Sequence, residues 1–287
     1  EATPSLSLSM LDVRPYPHQT QMLEEIEAAR LKGRHKNLIV AATGTGKTVL
    51  AAFDFQRFLA EYPAAKLLFV AHRREILEQS ISVFRQVLKD PSFGELLVDG
   101  NRPGTWNHVF ASIQSLNTKR LSTINASHFD FVVVDEFHHG AAPSYKLLMD
   151  HLSPKEMIGL TATPERSDGT KVHELYFDGE IATEVRLWDA LDLELVAPFS
   201  YFGIGESTNF KNVAWANANG YDTRELSNLV TGNHVRDRLL LDEMQRKISD
   251  LGSMKALIFC VDINHAEYMA KLLVDAGISA VALTSQS

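Results

Sequence analysis

The sequence predicts an α/β fold built on a mostly parallel sheet. Short apolar runs of strand type alternate along the chain with longer segments of helical period, which is the pattern of βαβ units. The runs are nearly continuous in Val, Ile, Leu and Phe, as expected for strands that helices cover on both faces. The strands predicted in the first part of the chain are 37–42, 66–71, 108–112, 129–134, 157–160 and 181–187.

Helices are predicted between the first three strands. Residues 47–61 carry apolar side chains at helical spacing and end before Pro63, and residues 73–89 repeat the pattern and end before Pro91. A short segment at 189–194 follows the sixth strand, where the composition changes.

The last part of the chain begins with a polar stretch and then returns to the βαβ pattern. Residues 206–223 are rich in Asn, Gly, Ser and Thr, which predicts a surface loop. The elements predicted after it are a helix at 233–249, a strand at 255–260, a helix at 265–275 and a strand at 279–283. We therefore expect two domains, at residues 1–195 and 196–287.

Composition excludes several classes of protein. The chain has 287 residues, about two domains' worth, with 45% hydrophobic and 22% charged residues, which excludes disordered and fibrous classes. No apolar run approaches the ~20 residues that a membrane span needs, and no signal segment opens the chain, so no membrane partner is expected. A single cysteine, Cys260, excludes an intrachain disulfide and predicts a reducing, cytoplasmic compartment.

Charge and chain ends add two expectations. The formal net charge of −8 argues against holding nucleic acid by bulk positive charge, but it does not exclude local contacts. The chain begins at Glu1 without a methionine and stops at Ser287 after an apolar run, which indicates a segment of something longer.

A phosphate-binding loop is predicted directly after the first strand. Thr43-Gly44-Thr45-Gly46-Lys47-Thr48 lies between a predicted strand and a predicted helix. Glycines here let backbone N–H groups turn towards phosphate oxygens, and the helix N-terminus adds partial positive charge. Lys47 would reach the β- and γ-phosphates of a nucleotide, and the Thr48 hydroxyl would coordinate Mg²⁺. The usual pattern starts with glycine where this chain has Ala41, and the alternative is a Gly/Thr turn that binds nothing.

A pair of carboxylates follows the strand predicted at 129–134. The carboxyl end of a buried parallel strand faces the crevice where open α/β sheets bind ligands. Asp135 would hold Mg²⁺, and Glu136 would orient and deprotonate an attacking water molecule. A solvated Asp-Glu pair is the alternative, which the upstream phosphate loop disfavours. His138 and His139 do not match the spacing of a helical zinc pair, so zinc is not expected.

Five blocks, in order, resemble the superfamily 2 helicases and translocases of the Asp-Glu-x-His type. The blocks are 41–48, 70–77, 111–116, 135–138 and 161–164. Within that superfamily, 160–169 and 176–182 look most like bacterial proteins related to the helicase (Res) subunit of type III restriction enzymes, which are similar to excision-repair helicases. The resemblance implies a RecA-like P-loop domain at 1–195 and an incomplete second RecA-like domain at 196–287, of which motif IV, at 255–265, is present.

The resemblance also implies roles for individual residues. The residues implied in ATP binding are Gln19, as the adenine contact, and Thr43, Gly44, Thr45, Gly46, Lys47 and Thr48. The residues implied in coupling the γ-phosphate to domain movement are His138, Thr161 and Thr163. The residues implied in nucleic-acid contact are Arg73, Ser112 and Gln114.

Other readings of these contacts stay open. Gln19 follows Pro17 and His18, which interrupt the family's usual spacing, and could be an ordinary polar residue of a first helical turn. Arg73 could belong to a solvated helix start, and Ser112 and Gln114 could make hydrogen bonds at a strand end.

The function that the resemblance implies is an ATP-dependent motor that moves along or unwinds DNA in restriction or repair. Its cofactors would be ATP and Mg²⁺, and its partners DNA rather than RNA, with restriction–modification or repair subunits. Motifs V and VI are absent from the sequence, and the arginine finger of motif VI is worth ~10³–10⁵ in rate, so we expect weak ATP·Mg²⁺ binding and little hydrolysis.

Two other classes of function are weighed against this one. A nucleotide-binding scaffold or sensor module of a restriction or repair complex is the main alternative, and intact Lys47, Asp135 and Glu136 argue against it. A P-loop kinase or transporter ATPase is disfavoured by the Thr-Ala-Thr block and by the absence of an ABC-type Leu-Ser-Gly-Gly sequence.

Overall fold

A computed structural model of the chain describes residues 12–140, 142–165, 171–214 and 221–285. The chain divides into two compact units between Phe199 and Ser200, four residues beyond the predicted boundary. The assignment of these units to a complete and an incomplete RecA-like domain stays a prediction. Within the resembling run 160–169, residues 166–169 lie outside the described residues, as do 215–220 of the predicted loop.

The first unit is built on a sheet whose strands all run parallel, so the predicted α/β class is confirmed. The strands are β1 (Lys36–Ala41), β2 (Leu67–Ala71), β3 (Glu95–Leu97), β4 (His108–Ser112), β5 (Phe131–Val134), β6 (Glu156–Thr161) and β7 (Thr183–Val185). Their order across the sheet is β3-β4-β2-β5-β6-β1-β7. The six strands predicted in this unit are present with bounds shifted by at most two residues, and β3 was not predicted.

Helices cover both faces of this sheet. They are α1 (Pro17–Leu31), α2 (Lys47–Glu61), α3 (Arg74–Leu88), α4 (Thr118–Leu121), α5 (Pro143–His151), α6 (Val172–Tyr176) and α7 (Leu187–Asp192). Apolar residues of α1, α2 and α3 pack with Ile39 and Ala41 of β1, whereas those of α4 and α5 pack with Leu38 and Val40. Burial on both faces explains why the strands are apolar throughout.

The second unit is helical in its described part. Its helices are α8 (Thr223–Val230), α9 (His234–Lys247) and α10 (Ile263–Asp275). The strands predicted at 255–260 and 279–283 are wrong, since neither segment has regular secondary structure. A strand needs a neighbour to take its backbone hydrogen bonds, and neither segment pairs with any described strand. Leu257 and Phe259 are accordingly 79% and 93% exposed.

No helix within the described ranges combines the length and the apolar character needed to cross a bilayer.

A buried cluster of charged side chains connects helices α1 and α2 with each other and with strand β6 of the sheet. The guanidinium of Arg30, in α1, donates to both carboxylate oxygens of Asp54, in α2, at 2.6 Å. Its Nε donates to Glu156, at the start of β6, at 2.9 Å. Burial lowers the pKa of Arg30, but its hydrogen bonds to Asp54 and the charges of both carboxylates outweigh this effect and raise the pKa, so Arg30 stays charged.

Removal of Asp54 should destabilise the protein strongly. Asp54→Ala deletes the bidentate partner of a buried cation, and a change of this kind costs about 3–5 kcal/mol in the free energy of unfolding. Urea-induced unfolding measures the loss. Glu27→Ala is the matched control, because Glu27 is half-exposed and lies 3.6 Å from the same guanidinium; its expected cost is below about 1 kcal/mol. Equal losses in the two variants would contradict the prediction.

Candidate functional site

Three neighbouring strands bring the predicted catalytic groups to one edge of the sheet. β1 leads into the phosphate loop, β6 ends at Thr161, and β5 leads into Asp135. The register is parallel, with Val40 of β1 opposite Thr161 and Val134 of β5 opposite Gly159 of β6. The loop and the acidic pair therefore flank the end of β6, in the crevice where such sheets bind ligands.

The phosphate loop has the backbone that glycine allows. Gly44 and Gly46 have φ angles of 92° and 84°, in the left-handed region that side chains disfavour. The loop is closed by Thr45, whose hydroxyl donates to Ala42 O at 2.7 Å, and by Lys47, whose Nζ donates to Ala41 O at 3.1 Å. Helix α2 begins at Lys47, so its first N–H groups have no partner within the helix and face this loop. This arrangement can cradle phosphate oxygens.

The first turn of α1 holds the loop from the other side. Gln19 is 2% exposed; its Oε1 accepts from Tyr16 N at 3.0 Å, and its Nε2 lies 3.4 Å from the carbonyl oxygens of Thr45 and Gly46. His18 Nε2 also lies 3.1 Å from Thr45 O. A Cβ on Gly46 would come within 2.5 Å of Gln19 Nε2. The structure thus gives Gln19 a contact with the loop, and its role as an adenine contact stays a prediction.

Asp135 is a buried carboxylate at the end of β5. It is 6% exposed, and its Oδ1 accepts from Glu136 N at 2.9 Å. Burial raises its pKa; the hydrogen bond from Glu136 N lowers it, the charge of Glu136 raises it, and the charge of Lys47 lowers it. The net shift is upward, which means that the ionised carboxylate lacks solvation that a bound cation would replace.

Glu136 connects this carboxylate to the end of β6. Its φ of 51° is uncommon for a residue other than glycine, and such backbone strain collects at functional sites. His138 Nδ1 lies 3.2 Å from Glu136 Oε2 and 3.5 Å from Thr161 Oγ1. Thr161 in turn accepts from Thr163 N at 3.2 Å. The three predicted coupling residues therefore form one chain of contacts from the acidic pair to the end of β6, while their coupling role stays a prediction.

The residues at the edge fit a magnesium ion held largely by phosphate. Among the described residues, no three His, Cys, Asp or Glu side chains converge as a metal site of their own. Mg²⁺ is commonly held by one or two protein groups together with substrate phosphates. The buried carboxylate of Asp135 and the half-buried Thr48, in the first turn of α2, are oxygen donors of that kind.

A polar cleft of about 470 Å³ lies where β2 and β4 end, and we call it the strand-end cleft. Its polar lining residues are His72, Arg74, Asp99, Ser112, Gln114, Ser115, Asn117 and Arg120. Ser112 and Gln114, two of the three residues predicted to contact nucleic acid, line this cleft. The third, Arg73, is exposed directly before α3 and does not line the cleft. Ser112 Oγ donates to Ser115 Oγ at 2.8 Å and accepts from Ser115 N, so it also stabilises the strand end.

Three residues of the site were not predicted from the sequence. Pro17 at the first position of α1 could have placed His18 beside the loop, because proline is favoured there. His72 and Tyr145 carried no signal. Their Nδ1 and hydroxyl atoms are buried without a hydrogen-bond partner among the described residues, a property that depends on long-range packing.

Two known structures share a fold with about two thirds of the chain. The chain matches a nuclease-deletion mutant of the Type ISP restriction-modification enzyme LlaGI, in complex with a DNA substrate mimic, with a TM-score of 0.52 and 15% identity over 64% of this chain and 21% of that one. It matches the Type ISP restriction-modification enzyme LlaBIII bound to DNA with a TM-score of 0.50 and 15% identity over 64% of this chain and 16% of that one.

Relatives in sequence are longer proteins. A protein of Schizosaccharomyces pombe named as a mitochondrial ATP-dependent helicase, irc3, is 32% identical over 55% of this chain and 27% of its own length. The Type I restriction enzyme EcoAI endonuclease subunit of Escherichia coli is 24% identical over 91% of this chain and 34% of its own length. The DNA 3'-5' translocase XPB2 of Sulfurisphaera tokodaii is 26% identical over 58% of this chain and 37% of its own length. The chain thus spans about a third of the length of these curated relatives.

The family model of the type III restriction enzyme res subunit matches residues 12–166, which is more than half of the chain and includes the phosphate loop, the strand-end cleft and the acidic pair. The chain belongs to the family of the type III restriction enzyme res subunit.

Proposed function

We propose that this chain is the nucleotide-binding part of an ATP-dependent motor that moves along or unwinds DNA in restriction or repair. The observation that carries the proposal is the meeting of phosphate loop, Thr161 and acidic pair at the ends of β1, β6 and β5. Family membership supports it, and so do relatives named as helicase, translocase and restriction endonuclease subunit. The lone cysteine, Cys260, which has no disulfide partner, supports a reducing, cytoplasmic compartment.

The proposed chemistry assigns one task to each group at the edge. The N–H groups of the loop and Lys47 bind the phosphates of ATP, and Thr48 and Asp135 hold Mg²⁺. Mg²⁺ held by these residues would supply positive charge beside the phosphates. Glu136 orients the attacking water molecule and accepts its proton at the carboxylate, while His138 keeps that carboxylate in place from 3.2 Å.

The proposed nucleic-acid partner is DNA, which would lie along the ends of β2 and β4. The strand-end cleft is polar and contains two arginines, Arg74 and Arg120, although Arg74 is held by Glu78 at 2.7 Å. Contacts of this kind would reach the sugar–phosphate backbone and position the protein without reading sequence. DNA is preferred to RNA because one relative is named as a DNA translocase.

Substitution of Lys47 should weaken nucleotide binding. We expect the chain to bind a fluorescent ATP analogue in the presence of Mg²⁺, and Lys47→Ala to weaken this binding at least about 10-fold, because a charged hydrogen bond to phosphate is lost. Fluorescence titration gives both dissociation constants. Lys36→Ala is the matched control, since Lys36 is exposed at the start of β1, the end of that strand far from the phosphate loop. A similar loss in both variants, or no binding by the wild type, would contradict the proposed function.

Hydrolysis separates the motor from the alternative of a sensor or scaffold. Phosphate release is measured with and without duplex and single-stranded DNA. A motor is expected to release phosphate from ATP faster in the presence of DNA, and Lys47→Ala is expected to remove this stimulation. Because little hydrolysis is expected without the arginine finger of motif VI, the scaffold would be favoured only if no DNA converts nucleotide binding into hydrolysis in a longer chain that carries this motif.

Substitution of Arg73 should weaken DNA binding in a salt-dependent way. Arg73→Ala is expected to lower the affinity for DNA of any sequence and to reduce the slope of log K against log salt by about 1, because one phosphate contact is lost. Fluorescence anisotropy at several salt concentrations measures both. Arg57→Ala removes the same charge from a cavity at the other end of the sheet, beside Glu156, and should leave the slope unchanged. Equal slopes for wild type and Arg73→Ala would show that Arg73 does not contact DNA.

A further inference from the structure

His72, directly after the last residue of β2, lines the strand-end cleft with a partly buried ring. Its Nδ1 is buried and has no hydrogen-bond partner among the described residues. A polar atom in this state destabilises the folded protein, because it has lost water and gained no other partner. An apolar ring would fill the same space without that cost, so packing alone does not explain a histidine at this position.

Three histidine rings connect the strand-end cleft with the acidic pair. The ring of His72 meets that of His139 edge to face, with centroids 5.9 Å apart and an interplanar angle of 65°. The ring of His139 has its centroid 4.1 Å from that of His138. His138 Nδ1 in turn lies 3.2 Å from Glu136 Oε2. Each step from the cleft to the carboxylate is therefore a direct contact between two neighbouring side chains.

The backbone that carries these rings is held by hydrogen bonds and by burial. Asp135 N donates to Val70 O at 2.8 Å, which joins the acidic pair to the end of β2. The short 3₁₀ turn Phe137–His139 is anchored by Phe137, which is fully buried, and Gly140 N donates to Phe137 O at 2.8 Å. The side chains, and not the backbone, are therefore the parts that a ligand can reorient.

His72 offers a ligand in the cleft a donor that differs from the arginines beside it. Arg74 Nε already donates to Glu78 at 2.7 Å, and Arg120 Nη1 donates to Ser115 O at 3.0 Å. The buried position of Nδ1 in His72 leaves Nε2 as the ring nitrogen that a ligand can reach. A neutral imidazole donates from one of its two nitrogens, and a phosphate oxygen accepts. A phosphate in the cleft would thus fix the orientation of this ring.

We propose that His72 is a positioning residue that couples the strand-end cleft to Glu136 through the rings of His139 and His138. A DNA phosphate bound in the cleft accepts from His72 Nε2, and the fixed ring restricts the two rings that hold the Glu136 carboxylate. Nucleotide binding orders the same carboxylate, so whichever ligand binds second loses less conformational entropy. The two ligands therefore strengthen each other's binding. The proposal rests on the proposed function, which supplies both ligands.

The test measures how far DNA changes the affinity for nucleotide. The dissociation constant of a fluorescent ATP analogue is measured in excess Mg²⁺, without DNA and with saturating duplex DNA, and the ratio of the two constants gives the coupling. The proteins are the wild type, His72→Phe, His139→Ala, the double variant and His128→Phe. His128 is a matched control, because it is another partly buried histidine but precedes β5, at the end of the sheet away from the cleft, where its Nε2 lies 2.9 Å from Trp106 O.

The expected result is a loss of coupling in the variants of the ring contacts alone. DNA should tighten nucleotide binding by the wild type about 5-fold or more, as is typical of two coupled sites. His72→Phe keeps a ring but has no N–H for phosphate, and it should abolish this difference. His139→Ala should do the same, and the double variant should match the single variants, because the two residues act in series. His128→Phe should keep the wild-type ratio.

The ratio also separates positioning from folding. A purely structural role of His72 would weaken nucleotide binding equally with and without DNA and leave the ratio at its wild-type value, which would overturn the proposal. Partial losses in His72→Phe and His139→Ala that multiply in the double variant would overturn it too, because the rings would then act independently. His139 is exposed, so His139→Ala still decides the question if His72→Phe does not fold.

Failure of this proposal and failure of the proposed function give different results. A wild type that binds both ligands, with no effect of DNA on nucleotide affinity, would overturn the coupling and leave the proposed function standing. A wild type that binds nucleotide but no DNA would overturn the proposed DNA partner together with the coupling. A wild type that binds no nucleotide in either condition would overturn the proposed function and this proposal together.

Discussion

The site depends on the parallel pairing of β6 with β1 on one side and β5 on the other. Parallel strands end at the same edge of a sheet, so three segments far apart in sequence deliver the phosphate loop, Thr161 and Asp135 to one place. A one-residue slip in register would move every side chain of a strand to the opposite face of the sheet and disrupt its packing against the helices, which fixes the spacing of the groups along the edge. The same order continues through β2 and β4, whose ends form the strand-end cleft beside Asp135.

The buried guanidinium of Arg30 connects this edge to the opposite end of the sheet. It ties the end of α1 to α2 and to the first residue of β6. The first turn of α1 carries His18 and Gln19, and α2 carries Lys47 and Thr48. The ion cluster therefore fixes the helix that touches the loop from outside relative to the helix that begins in the loop. A shift of α1 relative to α2 would separate Gln19 Nε2 from the carbonyl oxygens of Thr45 and Gly46, which lie only 3.4 Å away.

Sequence patterns predicted the elements that local chemistry determines. Helix α2 and strand β4 have the predicted bounds because proline, glycine and apolar period mark them within the chain itself. β3 was missed because three residues are too few for a pattern. The strands predicted at 255–260 and 279–283 are wrong because apolar, β-type residues give only a propensity, and a strand also needs a pairing partner.

Within the site, the phosphate loop and the acidic pair could be predicted from the sequence because each is a short motif of neighbouring residues. The contacts of His18 and the unpaired hydroxyl of Tyr145 arise from segments far apart in sequence, and no local pattern encodes them.

The net charge of −8 is compatible with a site for two polyanions because the relevant charges are local. Asp135 is buried, and the positive charge of Lys47 offsets part of its negative charge. The electrostatic potential beside the phosphate loop is therefore less negative than the net charge of the chain suggests. In the strand-end cleft, Arg74 and Asp99 face each other at 3.6 Å, which leaves Arg120 and the exposed polar groups to face a ligand. Interactions between exposed charges decay within about 8–10 Å at ordinary ionic strength. The acidic residues elsewhere on the surface therefore slow the association with DNA more than they weaken the contacts in the bound state. The salt dependence of the affinity, and not the net charge of the chain, therefore reports the number of phosphate contacts at the site.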